Sequence, residues 1–308
     1  MIEYVGVYKM DVFIVRTRLQ SLIVEKIINV ENMSKYIVVF CYLDNKYEDD
    51  SEYYTTYKRI RKNAFFTINV FCSSKISVNF TKFALAQLMA FITKGKVFLA
   101  VIDSYPFALS NRFFPSLEVN TFDDGSYNVI KSSKYFDERA LARKGIKGFV
   151  SKMVFPNGGA KYLRDRTKRH YTVFPDLENI VEKDRVVNLD WDWSELLDSR
   201  DLEKLATNTD TILLGTAFQD FSIKQQVKLK ENIMKIIEDV GLYIMHPREE
   251  HWLEHSKAVK LHSPAEAVLK YIQSANNNEL TVYHIDTTVS YSLKSNEHIR
   301  FIDLLSEF

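Results

Sequence analysis

Glycine is scarce in this chain, nine in 308 residues, and no GxGxxG or GxxxxGK[ST] motif occurs. The phosphate-cradling loops of dinucleotide-binding and P-loop proteins therefore lose their usual sequence support. Cysteine is scarcer still. Cys41 and Cys72 each lie in apolar, strand-like surroundings, which indicates neither a disulfide framework nor a zinc site and fits a reducing compartment. Neither sign of charge dominates, because 41 basic and 40 acidic residues leave a formal charge of +1. A general nucleic-acid binder would carry a clear basic excess, so an anionic partner must be met locally. Long apolar runs are missing too: Tyr36–Leu43 and Val97–Ile102 are strand length, far below the ~20 residues that span a bilayer. Glu3 and Asp11 interrupt the N-terminus where an export signal needs its apolar core. The expectation is a cytoplasmic protein, with room for peripheral contact at the inner face of a membrane.

What the chain does have is length and apolar content enough for two domains of ordinary size. Strand-like runs recur at Val12–Val15, Tyr36–Leu43, Ala64–Val70, Val97–Ile102, Thr211–Leu214, Leu242–Met245 and Leu280–Ile285. Helical spacing fills several gaps, as in Leu19, Leu22, Ile23 and Ile27, or in Phe83–Ile92. Ser222 with Gln225 predicts a capping box for a helix through Val240, which Gly241 stops. Ser263-Pro264-Ala265-Glu266 predicts another helix, to about Ser274, and Asp286-Thr287-Thr288 opens a further one. Strands alternating with helices imply mostly parallel sheets and an α/β fold. The predicted domains are 1–188 and 209–308, with a linker at 189–208 whose Trp191 and Trp193 suit an anchor between them.

Open α/β sheets bind ligands beyond the carboxyl ends of their strands. In the last hundred residues three such places stand out: Gly215–Asp220, His246-Pro247-Arg248 and Asp286-Thr287-Thr288. His246 ends a strand, is fixed by the proline after it, and can donate to a developing phosphate charge. Thr287 and Thr288 offer hydroxyls and free N–H groups to a phosphate, although a threonine pair is equally an ordinary helix cap. Asp123 and Asp124, closing onto Gly125, sit where a short strand from Leu117 to Phe122 runs into a loop. Such a pair must be solvated, partnered or used; an Asp-Gly turn starting a helix near Ser126 is the plainer reading. Lys161, Arg164, Arg166, Lys168, Arg169 and His170 form a basic cluster, either a solvated face or an anion site, and Lys58, Arg59, Arg61 and Lys62 form a shorter one. His251 and His255 are four apart, but no Glu or Cys completes a metal set.

In order along the chain, these residues resemble a known family, the bacterial lipooligosaccharide sialyltransferases of glycosyltransferase family 52. Thr17-Arg18-Leu19-Gln20 before a helix resembles its T-x-L-Q element, and Thr121-Phe122-Asp123-Asp124-Gly125 through Asn128 to Ser132-Ser133 its acidic motif. His170-Tyr171-Thr172 and Leu177-Glu178-Asn179-Ile180 resemble the segment that follows; Ile212-Leu213-Leu214-Gly215 and His246-Pro247-Arg248 resemble the nucleotide-domain strand and the HP motif. The resemblance implies a GT-B architecture, two Rossmann-like domains facing across a cleft, and inverting transfer of sialic acid from CMP-sialic acid without a metal. The acceptor it implies is a galactose-terminated surface glycan, lipooligosaccharide or capsule; a homodimer is compatible with it. It further implies His246 as the group assisting departure of the CMP phosphate. It implies a carboxylate after the L-L-G strand, here Asp220, as general base, with Asp124 the competitor. Asp123, Gly125, Gly215, Pro247, Arg248, Thr287 and Thr288 are the implied substrate-binding positions. The nearest rival is a relative using another donor such as a glucosyl nucleotide, and beyond it a non-catalytic sugar-nucleotide-binding protein.

Overall fold

The structure, a computed structural model, describes residues 9–42, 51–71, 74–131, 133–136, 153–155, 158–175, 177–205, 208–246, 249, 255–276, 278–285 and 287–305, without the side chains of 51–56, Ser126 and Asp220. The chain divides into two units, Met1–Asp190 and Trp191–Phe308. Of the predicted linker, 189–208, residues 189–190 thus count with the first unit and the rest with the second; Trp193 is buried there, edge-on to Trp191 at 5.5 Å.

The first unit holds one parallel sheet of β1 (Asp11–Val15), β2 (Tyr36–Tyr42), β3 (Phe66–Phe71), β4 (Lys96–Leu99), β5 (Glu118–Phe122), β6 (Thr167–Thr172) and β7 (Val186–Asn188). Their order is β3-β2-β1-β4-β5-β6-β7, so the direction of winding reverses between β1 and β4. That reversal is where such sheets open a crevice. β1 from Val12 onward and β2 read as apolar runs because helices cover both faces and every residue but the last of β2 is buried. α1 (Arg18–Val30) packs on α2 (Ser51–Asn63), and α3 (Ile76–Ile92) on α4 (Tyr105–Asn111). Right-handed crossovers place the two pairs on opposite faces of the sheet.

α1 starts at the predicted place, its first turn capped by Thr17, whose hydroxyl accepts from the Gln20 amide at 3.2 Å. α3 begins seven residues before the predicted Phe83, because Asn79 on its inward face hides the apolar stripe. That side chain is buried only by donating to the Phe71 carbonyl at 3.0 Å. The basic cluster near 161–170 resolves into α5 (Gly159–Arg166) and β6, neither of which the charges reveal.

The second unit is a parallel sheet of β8 (Thr211–Leu214), β9 (Leu242–Ile244), β10 (Ala258–Val259), β11 (Leu280–His284) and β12 (Ile299–Asp303), in the order β10-β9-β8-β11-β12. α6 (Ile223–Ile236) carries the anticipated capping box of Ser222 and Gln225. It stops short of Val240, and its Ile223 and Val227 are exposed while Leu229 and Ile233 enter the core, so the apolar face is only half used. α7 (Ala265–Asn276) and the four-residue α8 (Val289–Ser292) complete the winding.

Candidate active site

At the carboxyl end of β5 the two adjacent aspartates have opposite surroundings. Asp123, implied as a substrate contact, is 0% exposed: Oδ1 meets His170 Nε2 at 3.0 Å and Oδ2 accepts from the Val173 amide at 2.7 Å. His170 Nδ1 in turn meets the Thr121 hydroxyl at 2.8 Å. A carboxylate so enclosed has no surface to offer a ligand; it ties β5 to the end of β6.

Asp124 is partly exposed. Its Oδ1 accepts from Gln20 Nε2 at 2.6 Å, its Oδ2 from the Tyr135 hydroxyl, and its amide donates to Asn128 Oδ1 at 2.6 Å. The other end of Gln20 accepts from the Arg16 amide at 2.7 Å, so the turn leaving β1 is fastened to the turn leaving β5. Burial pushes the Asp124 carboxyl above its ordinary pKa; the bonds from Tyr135 and Gln20 and the charges of Lys134 and Arg16 pull the other way. The result is a carboxylate aimed by two donors and readier than usual to take a proton. Gly125 follows with φ +57°, the left-handed region where a side chain would strain the turn. Beside this end of the sheet lies a cavity of about 320 Å³ at the β1/β4 reversal, lined by Arg16, Cys41, Asn79, Asp103, Ser104 and Tyr105 among others.

In the second unit, β9, β8 and β11 are neighbours, so the loops after them leave side by side. These are the predicted sites around Gly215, His246 and Thr287. Gly215 donates to the Ile244 carbonyl at 2.8 Å, and a Cβ there would stand 2.3 Å from Glu249 Oε2 and 2.9 Å from the His246 amide nitrogen. Glycine is needed for that approach. Glu249 is buried, accepting from the Tyr243 hydroxyl on Oε1 and from the His246 amide at 3.2 Å on Oε2. Its carboxyl is pushed up by burial. His246 is partly exposed at the mouth of this loop. Thr288 is exposed and its side chain caps nothing; Thr287 Oγ1 accepts from the Val289 amide at 3.4 Å. Pro247 and Arg248 lie outside the described residues, as do His251 and the Asp220 side chain, while the Asp220 backbone ends a 3-10 turn.

The residues that sequence reasoning missed are Tyr135 and Glu249. Nothing in the pattern around Tyr135 marks it, but Glu249 lies three residues beyond His246 and is charged where the core begins. The larger basic cluster is mostly structural: Arg164 donates to the Tyr135 carbonyl at 3.1 Å, Arg166 to the Pro115 and Leu117 carbonyls at 2.8 Å each, and Lys161 pairs with Asp165 at 2.8 Å. Of the shorter cluster, Arg59 pairs with Glu25 at 2.9 Å. Among the described residues no group of three or more His, Cys, Asp or Glu could hold a metal ion.

The model of glycosyltransferase family 52 matches residues 33–305. An N-acetyllactosaminide alpha-2,3-sialyltransferase of Neisseria meningitidis is 26% identical over 278 residues, covering 89% of this chain and 72% of that protein. A CMP-N-acetylneuraminate:beta-galactoside alpha-2,3-sialyltransferase of Pasteurella multocida is 30% identical over 256 residues, 79% of this chain and 75% of that one. Among solved structures, a Listeria monocytogenes protein described as a UDP-N-acetylglucosamine 2-epimerase superposes with a TM-score of 0.53 at 10% identity, over 92% of this chain and 75% of that chain. This last likeness speaks to fold alone, and the two parallel α/β units are of the GT-B type.

Proposed function

The chain belongs to glycosyltransferase family 52, and from that premise we propose that it moves sialic acid from CMP-sialic acid to a galactose-terminated bacterial surface glycan, with inversion and without a metal. The donor and the galactoside acceptor are those in the name of the Pasteurella relative; lipooligosaccharide or capsule is the acceptor class. Cys41 is buried and in no disulfide, which suits a reducing compartment, and the cytoplasm is the one proposed.

The observation that carries this reading is Asp124, a carboxylate with both oxygens oriented by Gln20 and Tyr135 and its pKa raised by burial. In the reaction the acceptor oxygen attacks the anomeric carbon while the bond to the CMP phosphate oxygen breaks, its electron pair leaving with the phosphate. The acceptor proton passes to Asp124. A carboxylate poised above the usual range holds that proton better than a solvated one. His246, at the end of β9, donates to the departing phosphate, and the Thr287 and Thr288 hydroxyls and Gly215 backbone contact it. Direct displacement by one activated hydroxyl inverts the centre.

A donor screen is the first test. Turnover with CMP-sialic acid and none with UDP-hexoses, undiminished by chelator, supports the reading; turnover with a hexose donor replaces it. CMP affinity without turnover, unaffected by His246→Ala, would make the chain a binding protein. Asp124→Asn is expected to cut turnover by about 10²–10⁴ with modest change in CMP affinity, as is His246→Ala. Asp220→Asn measured beside Asp124→Asn identifies the base: the larger loss in kcat belongs to Asp220 if the assignment to Asp124 is wrong.

A further inference from the structure

Arg16 follows β1 where the winding of the sheet reverses, and its backbone is fixed by the residue that also aims Asp124. Its amide donates to Gln20 Oε1 at 2.7 Å and Gln20 Nε2 donates to Asp124 Oδ1 at 2.6 Å, so one side chain sets both groups. Arg16 is half-buried and lines the cavity of about 320 Å³ at the β1/β4 reversal. Its charge is near enough to pull the Asp124 and Tyr135 pKa values down. Yet among the described residues its guanidinium makes no hydrogen bond and no ion pair.

The cavity wall does not supply the missing anion. Asp103, its one carboxylate, is paired with Lys134 at 2.5 Å, and both oxygens of nearby Asp124 are occupied by Gln20 and Tyr135. A half-buried cation left without a partner is costly, and the planar fork of a guanidinium matches a carboxylate. The same wall holds a second incomplete group. Asn79 donates to the Phe71 carbonyl at 3.0 Å, but among the described residues its buried Oδ1 has no donor. The two groups ask for different things: any hydroxyl satisfies Asn79, whereas only an anion balances Arg16.

We propose that Arg16 binds the carboxylate of the sialyl donor and is the residue by which the enzyme tells that donor from a neutral hexosyl nucleotide. This rests on the sialyl-transfer reading, with Asp124 as base. In such a transfer the carboxylate is carried by the carbon under attack, which must come within ~3–3.5 Å of the acceptor oxygen that Asp124 deprotonates. The carboxylate therefore arrives beside Asp124, where a guanidinium not bonded to Asp124 stands ready. A galactose acceptor is neutral and brings no such charge. A hexosyl donor has no carboxylate, so in its complex Arg16 stays unpaired, and an unpaired polar group in the site is the strongest ground on which a substrate is rejected.

The test crosses the residue with the group it binds: parent and Arg16→Gln are each assayed with CMP-sialic acid and with the analogue whose carboxylate is a carboxamide. Arg16→Gln is expected to lower kcat/KM for CMP-sialic acid by about 10²-fold, mostly through KM, because the carboxylate is bound before and during the reaction. Affinity for CMP, which lacks that carboxylate, stays unchanged. The parent loses a similar factor on the carboxamide, and on that donor the two proteins differ by no more than about twofold. Removing the guanidinium also relieves its pull on Asp124, but that part falls on both donors and cancels in the cycle. If Arg16→Gln does not fold, as read by circular dichroism and Tm, Arg16→Lys replaces it: the charge stays, the fork is lost, and about tenfold is expected on CMP-sialic acid alone. An equal loss on both donors, or a loss of CMP affinity as large as the loss in kcat/KM, overturns the proposal. A parent without turnover on CMP-sialic acid overturns the sialyl-transfer reading and this inference with it, and the parent assay alone tells the two failures apart.

Discussion

Each unit contains a carboxyl group that accepts from a tyrosine hydroxyl and is pushed up by burial: Asp124 with Tyr135 in the first, Glu249 with Tyr243 in the second. They differ in what the remaining contacts do. Asp124 is held by side chains from separate elements, Gln20 from α1 and Tyr135 from the loop after β5, and keeps part of its surface open. Glu249 is closed off; its second oxygen accepts from the His246 amide and abuts Gly215, so its work is to hold two loops. A carboxylate can therefore be poised for proton transfer or spent on geometry, and exposure with the origin of its donors separates the two cases.

The sharpest break in that contrast lies next door to Asp124. Replacing Asp123 with alanine strands the His170 ring and the Val173 amide in the core, and is expected to cost about 3–5 kcal/mol, read by chemical denaturation, because a buried partner is left uncompensated. Retained stability would mean that the Asp123 to Thr121 chain is not what ties β5 to β6. Gly215→Ala is expected to weaken CMP binding by about tenfold or more, since the new Cβ drives into Glu249 and the His246 amide, while Asp124 chemistry on bound donor is spared; calorimetry against kcat separates these.

Tyr135→Phe sharpens the comparison further. Its hydroxyl lowers the Asp124 pKa, so losing it moves the acid limb of the kcat profile to higher pH and costs about tenfold at neutral pH. An unmoved limb assigns that limb to another group. The smallest effect concerns Glu249→Gln. A carboxyl whose folded pKa is raised contributes stability that is full below its unfolded pKa and lost as pH rises through the folded value. The glutamine has no such titration. Whatever its fixed offset from losing an acceptor for the His246 amide, its Tm relative to the parent should therefore climb as pH rises above the usual carboxylate range. A flat difference would show that Glu249 stays unprotonated in the fold.

Much of this was legible beforehand because it rests on local patterns. The strands at Val12, Tyr36, Val97, Thr211, Leu242 and Leu280 are apolar runs that only a doubly covered sheet accommodates, and Thr17, Ser222 and Gln225 announce helix starts through hydrogen bonds within one turn. β6 stayed hidden because Lys168 and Arg169 project outward at its start, so the strand opens with charge. α2 stayed hidden for a similar reason, its second half reading as a run of basic residues. In the site, the T-x-L-Q element and the acidic motif were both visible, but not that Gln20 reaches Asp124 across 104 positions.

Sequence alone determined the kind of molecule, an α/β chain with parallel sheets, no phosphate-loop glycine motif and a set of strand-end residues suited to a nucleotide sugar, because periodicity, capping and residue type act over a few positions. Only tertiary structure decided which of two neighbouring aspartates is sealed into the core and which is left poised. That choice follows from the pleat, which turns successive side chains to opposite sides at a strand end, and from what β6, α1 and the loop after β5 bring to each side.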